Sequence, residues 1–189
     1  MGGYDTVFVE LGWNHSTPKQ IAFGRGAANM QGKDWGAIVT WTYNEPPYME
    51  NGTEVYHDML SAYTAGAKYV LVFDDPRYPE FPNGTLTDDH FDAISNFNDY
   101  VKTHPRSHNG QTKGTVALVL PANYGWGARW HDEGLWGLWL ADEKTPLVWE
   151  NMNKLIDKYG LQLDIVFDDA RFNPAGKYPT VYFWNATIT

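Results

Sequence analysis

The chain of 189 residues contains no cysteine, which excludes disulfide bonds and metal sites built from thiolates. This absence leaves the compartment open, because exported proteins also occur without cysteine. Four Asn-x-Ser/Thr sequences begin at Asn14, Asn51, Asn83 and Asn185, and such sequences accept glycans only in a glycosylating export pathway. They weakly favour an extracellular location, and the compartment is otherwise undefined.

Basic residues are few. The chain has 14 Lys and Arg against 23 Asp and Glu, which gives a formal net charge of −9 and a pI of about 5.0. Nucleic acid binding requires a concentrated basic surface, whereas the basic residues of this sequence are scattered. We therefore expect no nucleic acid partner.

Long apolar runs and common catalytic motifs are also missing. No stretch approaches the roughly 18 apolar residues of a membrane span, so no membrane partner is expected. The N-terminus enters a predicted strand almost at once, and this pattern does not indicate a signal peptide. The sequence has no Gly-x-Ser-x-Gly elbow and no phosphate loop, and its six His residues lack ligand spacing. We expect neither a metal nor another cofactor.

Aromatic residues, by contrast, are abundant at 16% of the chain, with 9 Trp and 12 Tyr. Many follow or precede Gly, Asn, Asp or Pro, as in the segment 124–127 around Trp126. Aromatic rings in loops can stack on the faces of sugars. Alternatively, these Trp side chains fill irregular core space beneath long loops.

Hydrophobic periodicity indicates an alternation of strands and helices. It predicts strands over about 5–11, 35–43, 68–74, 115–120, 163–167 and 180–184, and helices over about 18–31, 52–65, 88–103 and 144–159. Such alternation predicts an α/β fold of mostly parallel β-α units, either a partial (β/α) barrel or an open doubly wound sheet. A complete eight-stranded barrel usually needs about 250 residues, which favours a barrel fragment or a smaller sheet.

A polar, turn-rich segment divides this pattern. We predict βα units over residues 1–104, a linker over 105–112, and a smaller α/β segment over 113–189. The tetrapeptide Val-Phe-Asp-Asp ends a predicted strand on each side of this linker, at 72–75 and at 166–169. Because the flanking sequences do not align, convergence explains this identity better than an internal repeat.

Acidic and aromatic residues collect where the first three predicted strands end. Parallel strands place their carboxyl ends on one edge of a sheet, and two suitably spaced carboxyl groups can cleave a glycosidic bond. We predict Glu10 and Glu45 as the catalytic pair. The alternatives are a charged strand end or a bridge to Arg25 for Glu10, and a surface-loop position for Glu45. The predicted substrate contacts are Trp13, Asn14, Trp41, Tyr43, Asn44, Asp74 and Trp126.

The tripeptide Asn44-Glu45-Pro46 after a strand resembles the Asn-Glu-Pro signature of clan A glycoside hydrolases. This resemblance implies a (β/α)8 barrel in which Glu45 is the general acid/base and Asn44 contacts a sugar hydroxyl. The nucleophile of that family is a Glu at the end of a strand three strands later. Here that strand ends in Asp168-Asp169, whose side chains are one methylene shorter.

The segment from Thr115 onward resembles the flavodoxin-like, glutamine-amidotransferase-like domain that follows the barrel in some β-galactosidase-type enzymes. That resemblance implies that Glu10, Trp41 and Asp74 line a barrel mouth and that the second part assists assembly. The expected function is therefore that of a carbohydrate-active protein, a glycoside hydrolase or a portion of one, with an oligosaccharide or other glycan as ligand. The alternative is a non-catalytic glycan-binding or oligomerisation domain, and homo-oligomer formation is left open.

Overall fold

The structure, a computed structural model, describes residues 4–43, 48–73, 86–106, 113–132 and 139–188. These residues contain six strands and four helices. The strands are β1 (Thr6–Gly12), β2 (Asp34–Thr40), β3 (Tyr69–Phe73), β4 (Val116–Leu120), β5 (Leu163–Phe167) and β6 (Thr180–Phe183). The helices are α1 (Thr17–Gln31), α2 (Gly52–Thr64), α3 (Asp88–Thr103) and α4 (Thr145–Tyr159).

The first sheet contains three parallel strands in the order β1-β2-β3. Its crossovers advance in one direction, so right-handed connections place the helices on one face. Side chains such as Val9, Leu11 and Val39 pack on this face against α1 and α2, and α3 packs on α2. The other face carries Phe8 and Leu71, which are 42% and 48% exposed. Within the described residues, helices cover only one face of this sheet.

The second sheet is also parallel but has the order β5-β4-β6. The chain passes from β4 to β5, then returns to the far side of β4, so right-handed connections lie on opposite faces. On one face Leu118 packs with Val148 and Met152 of α4. On the other face Val119 packs with Tyr178, which follows a short 3-10 turn at Pro174–Gly176. Every residue of β4 is buried.

Helix α1 packs against both sheets. Gly24 lies against the side chain of Val9 on β1, whereas Gly26 lies against the backbone carbonyl of Ile165 on β5. A β-carbon at Gly24 or Gly26 would collide with its neighbour. The two glycines therefore allow α1 to pack closely against both sheets. Arg25 itself is buried between the two halves of the chain and pairs with Asp164.

The predicted α/β fold of parallel β-α units is confirmed, and the predicted strands and helices agree with those observed to within three residues at each end. The predicted architectures were a partial (β/α) barrel and an open doubly wound sheet. The described strands form two open three-stranded sheets and do not close into a barrel. Most of the predicted linker, residues 107–112, lies outside the described residues. None of the described helices is long and apolar enough to span a membrane.

Candidate functional site at the end of the first sheet

The loop that follows β1 has an unusual backbone. Gly12, Trp13 and Asn14 have φ angles of 113°, 61° and 52°, in the left-handed region that side chains with a β-carbon rarely adopt. Gly12 has no alternative, because a β-carbon there would collide with the carbonyl oxygen of Thr40. Left-handed conformations at non-glycine residues cost of the order of 1–3 kcal/mol each and concentrate at functional sites. The loop is therefore a place where the fold maintains a strained conformation.

Glu10 lies at this end of β1, on the face that the described helices leave uncovered, and its side chain is exposed. Its Oε1 atom accepts hydrogen bonds from the indole Nε1 of Trp13 at 2.8 Å and from the hydroxyl of Thr40 at 2.7 Å. Parallel pairing of Gly12 with Thr40 places the Thr40 hydroxyl on the same face as Glu10. Both bonds end on one oxygen, so the carboxyl group is held in place while Oε2 takes part in neither bond.

Trp13 is oriented by a second aromatic residue. Its ring stacks on that of Tyr43, with 5.1 Å between the ring centroids. The Tyr43 hydroxyl receives a hydrogen bond from the backbone N–H of Trp13 and donates one to the Glu50 carboxylate. These contacts link the two strand-end loops, so the conformation of Trp13 depends on both. The Trp13 ring itself remains partly exposed beside Glu10.

Two further acids lie behind this aromatic pair. Glu50 is 8% exposed, and burial raises its pKa to about 7, although the hydrogen bond from Tyr43 acts in the opposite direction. Asp58 on α2 is also buried, and burial raises its pKa despite a 2.7 Å hydrogen bond from the Thr17 hydroxyl. The charge of Asp58 also raises the pKa of Glu50, and the charges of Glu50 and Asp58 both raise the pKa of Tyr43. The site therefore has a carboxyl group that exchanges its proton near neutral pH.

Glu50 is positioned from both sides of its backbone. Its N–H donates to the carbonyl of Trp41 at 2.8 Å, and its own carbonyl accepts from Nε2 of His90 at 2.7 Å. Because a carbonyl only accepts, His90 carries its proton on Nε2, and Nδ1 accepts from the Thr87 N–H at 3.1 Å. His90 is 1% exposed. Although His90 lies at the N-terminus of α3, its ring is not solvated, because it is buried against Trp41.

The structure brings together four of the predicted site residues and separates others. Two of them, Trp13 and Asn14, lie in the loop after β1, and Glu10 and Tyr43 lie beside this loop. Trp41 is almost fully buried in the core of the first sheet, and Trp126 is 3% exposed, between Tyr124 and Trp149 in the other half of the chain. Neither Trp41 nor Trp126 presents a ring face to a ligand, because core packing covers both.

Three predicted residues, Asn44, Glu45 and Asp74, lie outside the described residues. Glu10 does not bridge to Arg25, the pairing considered as its alternative, because Arg25 bonds to Asp164. Sequence reasoning missed Glu50 and Asp58. No local pattern marked Glu50, which precedes the cap of α2. Asp58 interrupts the apolar stripe of α2 beside Met59. An acid at such a position could have indicated a buried carboxyl group.

Among the described side chains, no group of three or more His, Asp or Glu residues is arranged to hold a metal ion. No protein-family model, curated protein or solved structure matches the chain.

Proposed function

We propose that the protein is carbohydrate-active and that it binds a glycan at the loop that follows β1. A single observation supports this proposal most directly: the partly exposed ring of Trp13 is fixed beside the carboxyl group of Glu10 by a 2.8 Å hydrogen bond. This combination suits sugar recognition, since C–H groups of the sugar can stack on the ring while its hydroxyls donate to the carboxylate. Tyr43 and Glu50 act as positioning residues for Trp13.

The reaction that this site would support is hydrolysis of a glycosidic bond. Glu10 would act as nucleophile or general base, and a second carboxyl group would donate a proton to the leaving oxygen. Glu45 is the residue that the Asn-Glu-Pro resemblance assigns to that second role. The protein would then be a glycoside hydrolase, or a portion of one, with Glu10 and Glu45 as the catalytic pair.

A non-catalytic glycan-binding domain is the second candidate, and a specific observation favours it. Of the carboxyl groups described around this loop, Glu10 is exposed, whereas Glu50 and Asp58 are buried. Hydrolysis by paired carboxylates requires that both groups reach the substrate. With one exposed carboxyl group, the described part of the site fits binding as well as it fits catalysis.

The two candidates are separated by measuring turnover and binding on the same proteins. Aryl glycosides and oligosaccharides serve as substrates, and quenching of Trp fluorescence by the same oligosaccharides reports binding. Glu10→Gln and Glu45→Gln should each reduce the rate of hydrolysis by at least about a hundredfold, because general acid–base groups typically contribute that much. Glu150→Gln is the matched control, since Glu150 is exposed on α4 and pairs with Lys154.

Binding without product formation, lost in Trp13→Ala, would establish the non-catalytic candidate. Full hydrolytic activity in both Glu10→Gln and Glu45→Gln would exclude the catalytic assignment. If no oligosaccharide binds or is cleaved, and Trp13→Ala changes nothing, both candidates fail.

A further inference from the structure

The second sheet forms a crevice where its connections change sides. The chain leaves β4 towards α4 on one face and leaves β5 towards the turn at Pro174–Gly176 on the other face. The loops that follow these two neighbouring strands therefore diverge at their carboxyl ends. In open α/β sheets, ligands bind in the crevice at this position.

A cavity of about 480 Å³ occupies this position, within the range of about 300–1,000 Å³ that is usual for small-molecule sites. It is formed by the loop after β4, residues 122–124, and by the end of β5 and the loop after it, residues 167–171. The backbone N–H of Asp168 donates to the carbonyl of Leu120 at 2.9 Å, which fixes one loop to the end of the other strand. Asn123 has a φ angle of 55°, so this loop also contains a strained residue.

The charges in the cavity do not balance. Asp169 and Arg171 form a pair in which Nε of Arg171 donates to both carboxylate oxygens, at 2.9 Å and 3.1 Å. This pair holds the pKa of Asp169 at about 2, so the two charges cancel at neutral pH. Asp168 is exposed, and it adds a second acid to a cavity lining whose basic residue is Arg171. The cavity therefore carries a net negative charge, and Nη1 of Arg171 takes no part in the bonds to Asp169.

Phosphate is a poor fit to this cavity. In many α/β folds, the helix that follows such a strand binds phosphate with the N–H groups of its first turn. Here Asp142 occupies that place, because its Oδ1 accepts from the N–H groups of Lys144 and Thr145 at 3.0 Å and 3.2 Å. The N-terminus of α4 already binds an anion from its own chain, and Asp168 would repel a second one.

We propose that this crevice is a second binding site, separate from the loop after β1, and that it takes one unit of an uncharged saccharide. Asp168 accepts hydrogen bonds from the sugar hydroxyls, and Arg171 donates hydrogen bonds to the sugar oxygens. Phe167, which is partly exposed at the cavity wall, supplies an apolar surface for the sugar C–H groups. The Val-Phe-Asp-Asp sequence at 166–169 is thereby assigned a role in this half of the chain.

Amide chemical-shift mapping on the ¹⁵N-labelled full chain tests the proposal. The separate probes are glucose, galactose, mannose, N-acetylglucosamine, inorganic phosphate and putrescine. At least one sugar should shift the amides of residues 122–124 and 167–171 in a saturable way. Asp168→Asn should weaken the binding of that sugar by about tenfold, the loss expected when a hydrogen bond to a charged group is replaced. The matched control Asp157→Asn, at an exposed position of α4, should bind normally.

The titrations are repeated in Glu10→Gln, which removes the carboxylate of the first site. Shifts that persist there show that the crevice binds independently of the proposed function, so the two proposals can fail separately. The proposal is overturned if no sugar shifts these amides, if the shifts in Asp168→Asn match those of the unsubstituted chain, or if only phosphate or putrescine binds. Unchanged circular dichroism of Asp168→Asn ensures that a loss of binding does not reflect unfolding.

Discussion

Arg25 on α1 and Asp164 on β5 form a buried ion pair, with 2.6 Å between Nε and Oδ1, across 139 positions of sequence. The other guanidinium nitrogens donate to the carbonyls of Ala65, Leu161 and Leu163. Asp164 accepts in turn from Asn29, from the N–H of Gly114 and from the hydroxyl of Tyr178. Both charges are thus surrounded by hydrogen-bond partners, and the pair connects the two halves of the chain.

Removal of one partner of this pair should destabilise the whole protein. Arg25→Met leaves the Asp164 charge buried, and breaking a buried pair in this way costs about 3–5 kcal/mol. Urea denaturation measures the loss. The control is Lys102→Met, which removes the exposed pair with Asp99 and should cost less than about 1 kcal/mol. Similar small losses in both variants would show that the Arg25 pair is solvated.

Stability should fall as the pH rises through the range in which Glu50 titrates. Because the pKa of Glu50 is raised from 4.5 to about 7, the folded protein binds more protons than the unfolded chain between these pH values. The free energy of unfolding then decreases as pH increases, by about 1–3 kcal/mol for this group. Burial raises the pKa of Asp58 as well, which adds to the same trend.

Urea denaturation from pH 5 to pH 8 checks this dependence, with Glu50→Gln as the test variant and Glu150→Gln as the control. Glu50→Gln should flatten the profile, because an amide has no proton to lose in this range. Glu150→Gln should leave it unchanged. A profile that rises with pH in the unsubstituted protein would contradict the assignment.

The two faces of the first sheet should respond differently to the same substitution. Leu11 on β1 is fully buried beneath the helices, whereas Leu71 on β3 is 48% exposed on the opposite face. Leu11→Ala should cost about 2–5 kcal/mol, the usual loss for a buried leucine, and Leu71→Ala should cost less than about 1 kcal/mol. Thermal denaturation of both variants provides the comparison. A large loss for Leu71→Ala would mean that its face is covered in solution.

Much of the fold was predictable because residues that are close together in the sequence determine it. Helix α2, for example, has Val55 and Met59 at helical spacing, and Asn51 and Glu54 form a capping box at its start. The continuous apolar run of β4 predicted a strand, and such runs are typical of strands that are buried on both faces, as β4 is. Strand order is not determined in this way. The position of β4 between β5 and β6, and the contact of α1 with β5, depend on packing between distant segments.

The candidate site was predictable in part for the same reason. Glu10 and Trp13 lie next to each other at the end of one strand, so their proximity followed from a single predicted element. Glu50 became part of the site through contacts with Tyr43 and His90, which no periodicity indicates. The burial of Trp126 was not predictable, because a Gly-rich sequence indicates a loop without indicating whether the loop packs its aromatic side chain inward.

The contact of Gly26 with the carbonyl of Ile165 also protects the second sheet from association with other chains. Strand β5 forms one edge of that sheet, and an open edge strand is a template for intermolecular pairing. Helix α1 lies along this edge and prevents another strand from approaching. Any change that loosens α1, such as a larger side chain at position 26, would therefore promote aggregation as well as lower stability.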